Sequence, residues 1–354
     1  DKKEQLSLFG HAVVQPLYRN QSAGSRAYST NSGVDLYKAL GSLKFKVNPA
    51  LYNAYRTSST ERRTGAGTFF NEASDPASLW SIGEEPISFY TDELKSSWAA
   101  GFNDVAIVML AREGGEGVEL YMETPTEGIS QLALYQEERD LLAMIRDSGS
   151  FKKTIVLLNS GNPMEVDWAD EYDVDAVLWI GCPGEKGFTG VANILAGSAN
   201  PSGRLVDTYA VNSLSSPAAA NNSYSNQTWE NLAEALKKAS SDPSEISYYT
   251  VQTEGIYIGY KYYETRYEDQ VLGRFQATGT AGSSDGAAWD YAKEVSYPFG
   301  YGLSYTTFDQ TLDNVTMDGD TITVTVTVTN TGGVAGKSVA QIYAQTPYGE
   351  YEQT

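Results

Sequence analysis

Proton transfer is the chemistry for which this chain carries the clearest residue. In the run Asp104-Val105-Ala106-Ile107-Val108-Met109-Leu110-Ala111-Arg112-Glu113-Gly114-Gly115-Glu116-Gly117-Val118-Glu119, an apolar stretch leads directly into a loop where Glu116 stands between two glycines. Flanking glycines let the backbone take positive φ and come close to a substrate. A carboxyl partly withdrawn from water keeps its proton more easily, which suits a general acid. Arg112, four positions earlier, is a candidate for orienting that loop or touching substrate, and Glu113 and Glu119 are the neighbouring carboxyls. On the residues alone, an ordinary acidic loop is the competing reading.

Other chemistries are poorly served. A single histidine, His11, and a single cysteine, Cys182, leave too few nitrogen and sulfur ligands for a zinc site, so any metal would have to be held by oxygen; no metal or cofactor is implied. Gly282-Ser283-Ser284-Asp285-Gly286 matches a nucleophile elbow, but it sits in a Gly/Ser loop and the one histidine precedes it. Thr331-Gly332-Gly333-Val334-Ala335-Gly336-Lys337-Ser338 imitates a phosphate loop, yet it lacks the leading glycine and reads as a turn between strands. Asp167 and Asp170, around Trp168, read as a solvated surface turn rather than paired catalytic carboxylates.

The formal charge of −20 opposes phosphate backbones and anionic headgroups, so nucleic acid and lipid are poor partners and a neutral ligand fits better. Aromatic residues, 12% of the chain and mostly tyrosine, suit the apolar faces of a pyranose, although most rings must serve the core. No run of about 18 apolar residues occurs, so no membrane insertion is expected, and the acidic, Asn/Thr/Tyr-rich character leans toward a secreted or cell-surface setting. A homo-oligomer is left open.

The elements that must position Glu116 are legible as apolar runs. Leu6–Gly10, Asp104–Leu110, Thr154–Leu158 and Ala176–Ile180 are apolar on both faces, as strands covered on two sides must be. A helical pattern lies between the second and third, Ser130 to Asp147, with Leu134, Leu141, Leu142 and Ile145 at helix spacing behind a Ser130 cap. The alternation predicts an α/β domain, a three-layer α/β sandwich on a mostly parallel sheet, over residues 1–310. Surface insertions are expected near 212–245, with a helix from Trp229 to Lys238, and near 273–293, including a flexible Gly279–Gly286; between them Glu254–Tyr263 (EGIYIGYKYY) is ordered, with alternating aromatics. From Leu312 the pattern is pure β. Asp318-Gly319 predicts a hairpin turn, and Thr321–Thr329 alternates so that Ile322, Val324, Val326 and Val328 share one face that needs covering. An immunoglobulin-like sandwich needs roughly 100 residues, so 311–354 is expected to be an incomplete fibronectin III-like β domain that continues past Thr354 or is completed by another fragment.

Taken together, these segments resemble family 3 glycoside hydrolases. The family's strand and loop read roughly D-V-A-I-V, several residues, then S/G-G-E-G. Asn159-Ser160-Gly161-Asn162-Pro163 with Trp168 is similar to its N-x-G-x-P…W strand end, and Gly181-Cys182-Pro183-Gly184-Glu185-Lys186-Gly187 to its x-x-P-G-Q-E-G turn. Ala192–Leu205 (ANILAGSANPSGRL), Glu254–Tyr263 and Tyr297–Phe308 (YPFGYGLSYTTF) resemble three further signatures. Glu119 stands where many members have Asp, and Glu185-Lys186 replaces Gln-Glu. The resemblance implies that Glu116 is the acid/base of a retaining, exo-acting β-glucosidase-like enzyme acting on a β-glucoside or oligosaccharide. It places Ser25 and Arg26 in a glycine-serine loop near the substrate. The nucleophilic aspartate would come from a (β/α)8 barrel domain, usually in an S-D-W-type motif that does not occur in this sequence. That barrel would belong to the same polypeptide, with the order favouring a barrel that follows, or to a companion fragment, and this chain alone is expected to be inactive. The rival reading is a non-catalytic sugar-binding or assembly module with a vestigial glutamate loop.

Overall fold

The computed structural model describes residues 4–19, 33–64, 80–114, 120–219 and 252–347. Its centre is a five-stranded parallel sheet. β1 (Gln5–Phe9) leads through α1 (Leu36–Ser42) to β2 (Lys46–Val47) at one edge, and α2 (Pro49–Thr57) follows. β3 (Arg63–Thr64) and β4 (Trp80–Ser81) form a small antiparallel ribbon. The chain then runs through α3 (Asp92–Ala99), β5 (Val105–Arg112), α4 (Gln136–Ser148), β6 (Lys153–Ser160), β7 (Ala176–Trp179) and α5 (Phe188–Leu195). In space the strands lie in the order β2-β1-β5-β6-β7, all parallel.

Two-sided burial explains the apolar runs of β1, β5 and β6, but not that of β7, which lies at the sheet's edge with Ala176 exposed and Val177, Leu178 and Trp179 half-buried. Along β5 every residue from Ala106 to Arg112 is buried, and on β6 the same holds from Val156 to Ser160. The crossover from β1 to β2 runs one way along the sheet and those from β2 to β5 and β5 to β6 run the other. Right-handed crossovers in opposite directions put their helices on opposite faces, and the packing agrees, with α1 against α5 and α2 against α3. Phe9 is fully buried, with Trp98 and Phe151 edge-on to it at 5.2 and 5.5 Å between ring centroids. Edge-to-face pairs of this kind add about 0.5–1.5 kcal/mol beyond area burial.

The helix expected from Ser130 starts at Gln136 instead. Ser130 does not cap it; its hydroxyl is 2.6 Å from that of Ser213 and accepts the Leu132 N–H. Glu138 caps the start, its carboxylate accepting the Tyr135 N–H at 2.9 Å, and Gly149 at φ 56° ends the helix. Residues 130–134 stay out of the helix because their carbonyls are engaged elsewhere: those of Gln131 and Ala133 accept from Arg112, that of Leu132 accepts the Glu165 N–H and that of Leu134 accepts from Arg139.

Beyond the sheet, β8 (Tyr209–Ala210) pairs with β9 (Val295–Tyr297). Glu254–Tyr263 is no strand despite its alternation: a turn leads to Gly259 and the aromatics enter α6 (Tyr260–Leu272). Gly279–Gly286 wraps the guanidinium of the buried Arg266, which donates to the carbonyls of Ala277, Gly279 and Ala281, while Ser284 bonds to Glu294 of α7 (Tyr291–Glu294). The loop expected to be a flexible insertion is therefore polar-anchored. The expected helix Trp229–Lys238 and most of the insertion near 212–245 lie outside the described residues.

The β signal begins earlier than Leu312. β10 (Phe308–Asp318) pairs antiparallel with β11 (Thr321–Asn330), with a bulge between Leu312 and Asn314. Asp318 pairs with Thr321, so the turn residues are Gly319 and Asp320, one position on from the expected dipeptide. Ile322 is 61% exposed and its partner Met317 72%. Among the described residues after Asn330, none forms a strand.

Candidate active site

In an open parallel sheet, ligands bind beyond the carboxyl ends of the strands, where the strand order reverses. Here that switch point lies between β1 and β5, and the loop after β5 is the one that carries Glu116. The two strands approach closely at their ends. A Cβ on Gly10, which has φ 90°, would stand 2.4 Å from the Met109 carbonyl oxygen, so only glycine permits this departure from β1. Gly114 is confined less strictly: a Cβ there would meet the Asn162 side-chain amide at 2.6 Å, a group that could swing aside where backbone could not. Gly114 thus lets the start of the loop lie close against Asn162 in the Asn159–Pro163 strand end.

Arg112 ends β5 and is 1% exposed. Its Nη1 and Nη2 hold the two carboxylate oxygens of Glu138, Nη1 at 2.6 Å, while Nη2 also donates to the Ala133 carbonyl and Nε to that of Gln131. The guanidinium is enclosed and its donors are committed to protein. Of the two roles open to Arg112, this geometry suits loop orientation rather than substrate contact. Such a forked, charge-assisted pair is among the stronger hydrogen-bond arrangements available to side chains.

Gln131, which sequence reasoning did not single out, joins the two ends of the same loop. Its Oε1 accepts the Tyr121 N–H at 2.9 Å and its Nε2 donates to the Glu113 carbonyl at 3.0 Å. Asn159 performs the corresponding task for the loops after β1 and β7. It accepts the Leu17 N–H at 2.7 Å and donates to the carbonyls of Leu17 and Gly181. The only available signal for Asn159 was its place in the strand-end motif; for Gln131 there was none.

A second polar group sits beside the switch point. His11 Nδ1 is 2.9 Å from Glu85, and Glu84 accepts the N–H groups of His11 and Glu85 at 2.9 Å each. Burial pushes the Glu84 carboxyl up to about 8, despite those two bonds. Burial also opposes ionisation of Glu85, but hydrogen bonds from His11, Ser58 and Thr60 outweigh it and hold that carboxyl below the usual range. Arg62 brings a cation here: burial lowers its pKa, against the charges of Glu113 and Glu84. Burial and then the charge of Glu113 push the Cys182 thiol up to about 11, away from the thiolate form that nucleophilic attack uses.

Glu116 and Glu119 fall within 115–119, and Ser25 and Arg26 within 20–32, outside the described residues. Among the described residues no group of three or more His, Cys, Asp or Glu side chains could hold a metal ion, and no helix is long and apolar enough to cross a membrane.

Comparison with known proteins shows which families and structures this chain is similar to. The profile of the glycosyl hydrolase family 3 C-terminal domain matches residues 2–305. A beta-glucosidase of Ruminococcus albus is 30% identical over 249 residues, which is 70% of this chain and 21% of that protein. Beta-glucosidase A of Butyrivibrio fibrisolvens is 28% identical over 286 residues, 71% of this chain and 29% of its own length. Among solved structures, a beta-glucosidase from Paenibacillus barengoltzii superimposes with a TM-score of 0.63 at 25% identity, covering 93% of this chain and 30% of that one. Beta-glucosidase 3B from Thermotoga neapolitana, solved with α-D-glucose, shares the fold with a TM-score of 0.62 at 24% identity over 94% of this chain and 39% of its own. The chain therefore spans under a third of the length of the curated relatives named here.

Proposed function

The chain belongs to the glycosyl hydrolase family 3 C-terminal domain family, and from that premise we propose that it supplies the acid/base half of a retaining, exo-acting β-glycosidase that removes terminal β-linked glucosyl or similar residues. Glu116 is the acid/base. The nucleophile is an aspartate of a (β/α)8 barrel domain in the same polypeptide or a companion fragment. Ser25 and Arg26 contact the sugar, and Arg112 holds the loop from beneath.

The observation that supports this reading is that β5, which leads to Glu116 in the sequence, ends at the switch point of the sheet, and that Glu113 and Tyr121, on either side of 115–119, are both hydrogen-bonded to Gln131. A retaining hydrolase needs its two carboxyls about 5–5.5 Å apart. In the first step the aspartate attacks the anomeric carbon while Glu116 donates its proton to the leaving oxygen. In the second, Glu116, now ionised, takes a proton from the water that cleaves the glycosyl-enzyme.

The test uses the barrel-containing protein and two substrates, an alkyl β-glucoside and a dinitrophenyl β-glucoside. Glu116→Gln should lower turnover of the alkyl glycoside by about 10²- to 10⁴-fold. The activated glycoside, whose leaving group needs no proton, should lose less, and azide should restore its turnover by yielding β-glucosyl azide. The 354-residue chain alone should turn over neither. Near-native rates of Glu116→Gln on both substrates would pass the role to Glu113 or Glu119.

A further inference from the structure

Gln131 is 3% exposed and makes four polar contacts, all of which converge on one loop and its stem. The side-chain oxygen accepts the Tyr121 N–H, and the side-chain nitrogen donates to the Glu113 carbonyl. Its backbone N–H donates to the Tyr121 carbonyl at 2.9 Å, and its backbone carbonyl accepts Arg112 Nε at 2.5 Å. One residue therefore holds the exit of the loop, its return, and the arginine that closes β5. Only a carboxamide does this. It offers a donor and an acceptor on one rigid plane, where a carboxylate lacks the donor and an aliphatic side chain lacks both. The clamp is backed by charge, since Arg112 is itself fixed by Glu138 at the start of α4.

We propose that Gln131 is the positioning residue of the acid/base loop: by clamping Glu113 and Tyr121 with one carboxamide, it sets where Glu116 delivers its proton. The inference rests on the acid/base reading of Glu116 given above. A displacement of about 1 Å in a reacting group can cost about 10²-fold, so releasing the clamp should consume a large part of what the acid contributes. A residue that merely stabilised the domain would lower activity on every substrate alike.

The experiment compares Gln131→Leu, Gln131→Glu and Glu116→Gln in the barrel-containing protein. Each is assayed on the alkyl and dinitrophenyl β-glucosides, with amide hydrogen exchange followed by mass spectrometry over peptides spanning 113–121. Gln131→Leu, close to isosteric, should lower kcat for the alkyl glycoside by about 10- to 100-fold, within the range that general acid/base assistance supplies. It should cost the dinitrophenyl glycoside only a few-fold, leave KM close to native, and speed exchange at 113–121 alone. Gln131→Glu, which keeps the acceptor for Tyr121 and loses the donor to Glu113, should fall between and serves if the leucine variant does not fold. Equal losses on both substrates, or unchanged exchange at 113–121, would overturn the inference. If Glu116→Gln is leaving-group selective and neither Gln131 variant is, the inference fails while the acid/base reading stands. If Glu116→Gln shows no selective loss, that reading falls and takes the catalytic role of Gln131 with it.

Discussion

At the carboxyl rim of the main sheet, Arg112, Gln131 and Asn159 are buried polar residues whose side chains are each held by several directed bonds, whereas along the β10–β11 hairpin Leu312, Val315, Met317 and Ile322 are large apolar residues turned outward. The rim is built from bonds that fix position; the hairpin is built from a backbone ladder and β-branched alternation that fix register only. Identity therefore matters differently in the two places. Removing one partner at the rim strands a buried group, while changing an outward side chain of the hairpin leaves its ladder intact.

The sharpest way to break this contrast is Glu138→Ala, which leaves the enclosed guanidinium of Arg112 without its carboxylate. Losing one partner of a buried ion pair typically costs about 3–5 kcal/mol, and chemical denaturation of the 354-residue chain should read a loss of that size. A loss under about 1 kcal/mol would put the pair in the class of exposed salt bridges.

Glu84 tests the rim through pH. A carboxyl raised by burial from 4.5 to about 8 keeps, in the folded chain, a proton that the unfolded chain has released between those values. Stability should therefore fall as pH rises from about 5 to 8. Glu84→Gln should flatten that part of the curve in thermal melts, and a slope unchanged by the substitution would assign it to other groups.

The smallest effect is expected at Ile322→Thr. The side chain is 61% exposed, so the chain's stability should change by no more than about 0.5 kcal/mol. A loss above about 2 kcal/mol would mean that the hairpin face is covered in solution, and the contrast with the rim would shrink.

Much of the frame was legible because it follows from burial alone. The runs around Leu8, Val108 and Leu157 are apolar on both faces and lie in covered parallel strands, whereas the equally apolar run around Leu178 forms the edge strand β7, where Ala176 is exposed and Val177, Leu178 and Trp179 are half-buried. Pattern misled where a polar anchor decided the path. Leu134 lies at helix spacing from Leu141, yet the chain around it is held open because the carbonyls of Gln131 and Ala133 bond to Arg112. Alternation in Ile256, Ile258 and Tyr260 suggested order and gave a turn and a helix start, because Gly259 at φ 61° redirects the backbone. For the candidate site, the strand that leads into the loop was readable from its apolar run, while Glu116 itself lies outside the described residues. Gln131 was not readable: it meets Glu113 across 18 residues of sequence, and nothing local in Ser130-Gln131-Leu132 announces that contact.

Asn159 has a consequence for how this domain can change over generations. Its one carboxamide links Leu17, after β1, with Gly181, after β7, and it sits itself at the end of β6. Three loops that are far apart in sequence thus share a single fastening. A substitution that shifts any one of them alters the geometry available to the other two, and effects at sites joined in one network do not add. Variants accumulated in the segments around Leu17 and Gly181 should therefore be epistatic: a change tolerated in one background is rejected in another.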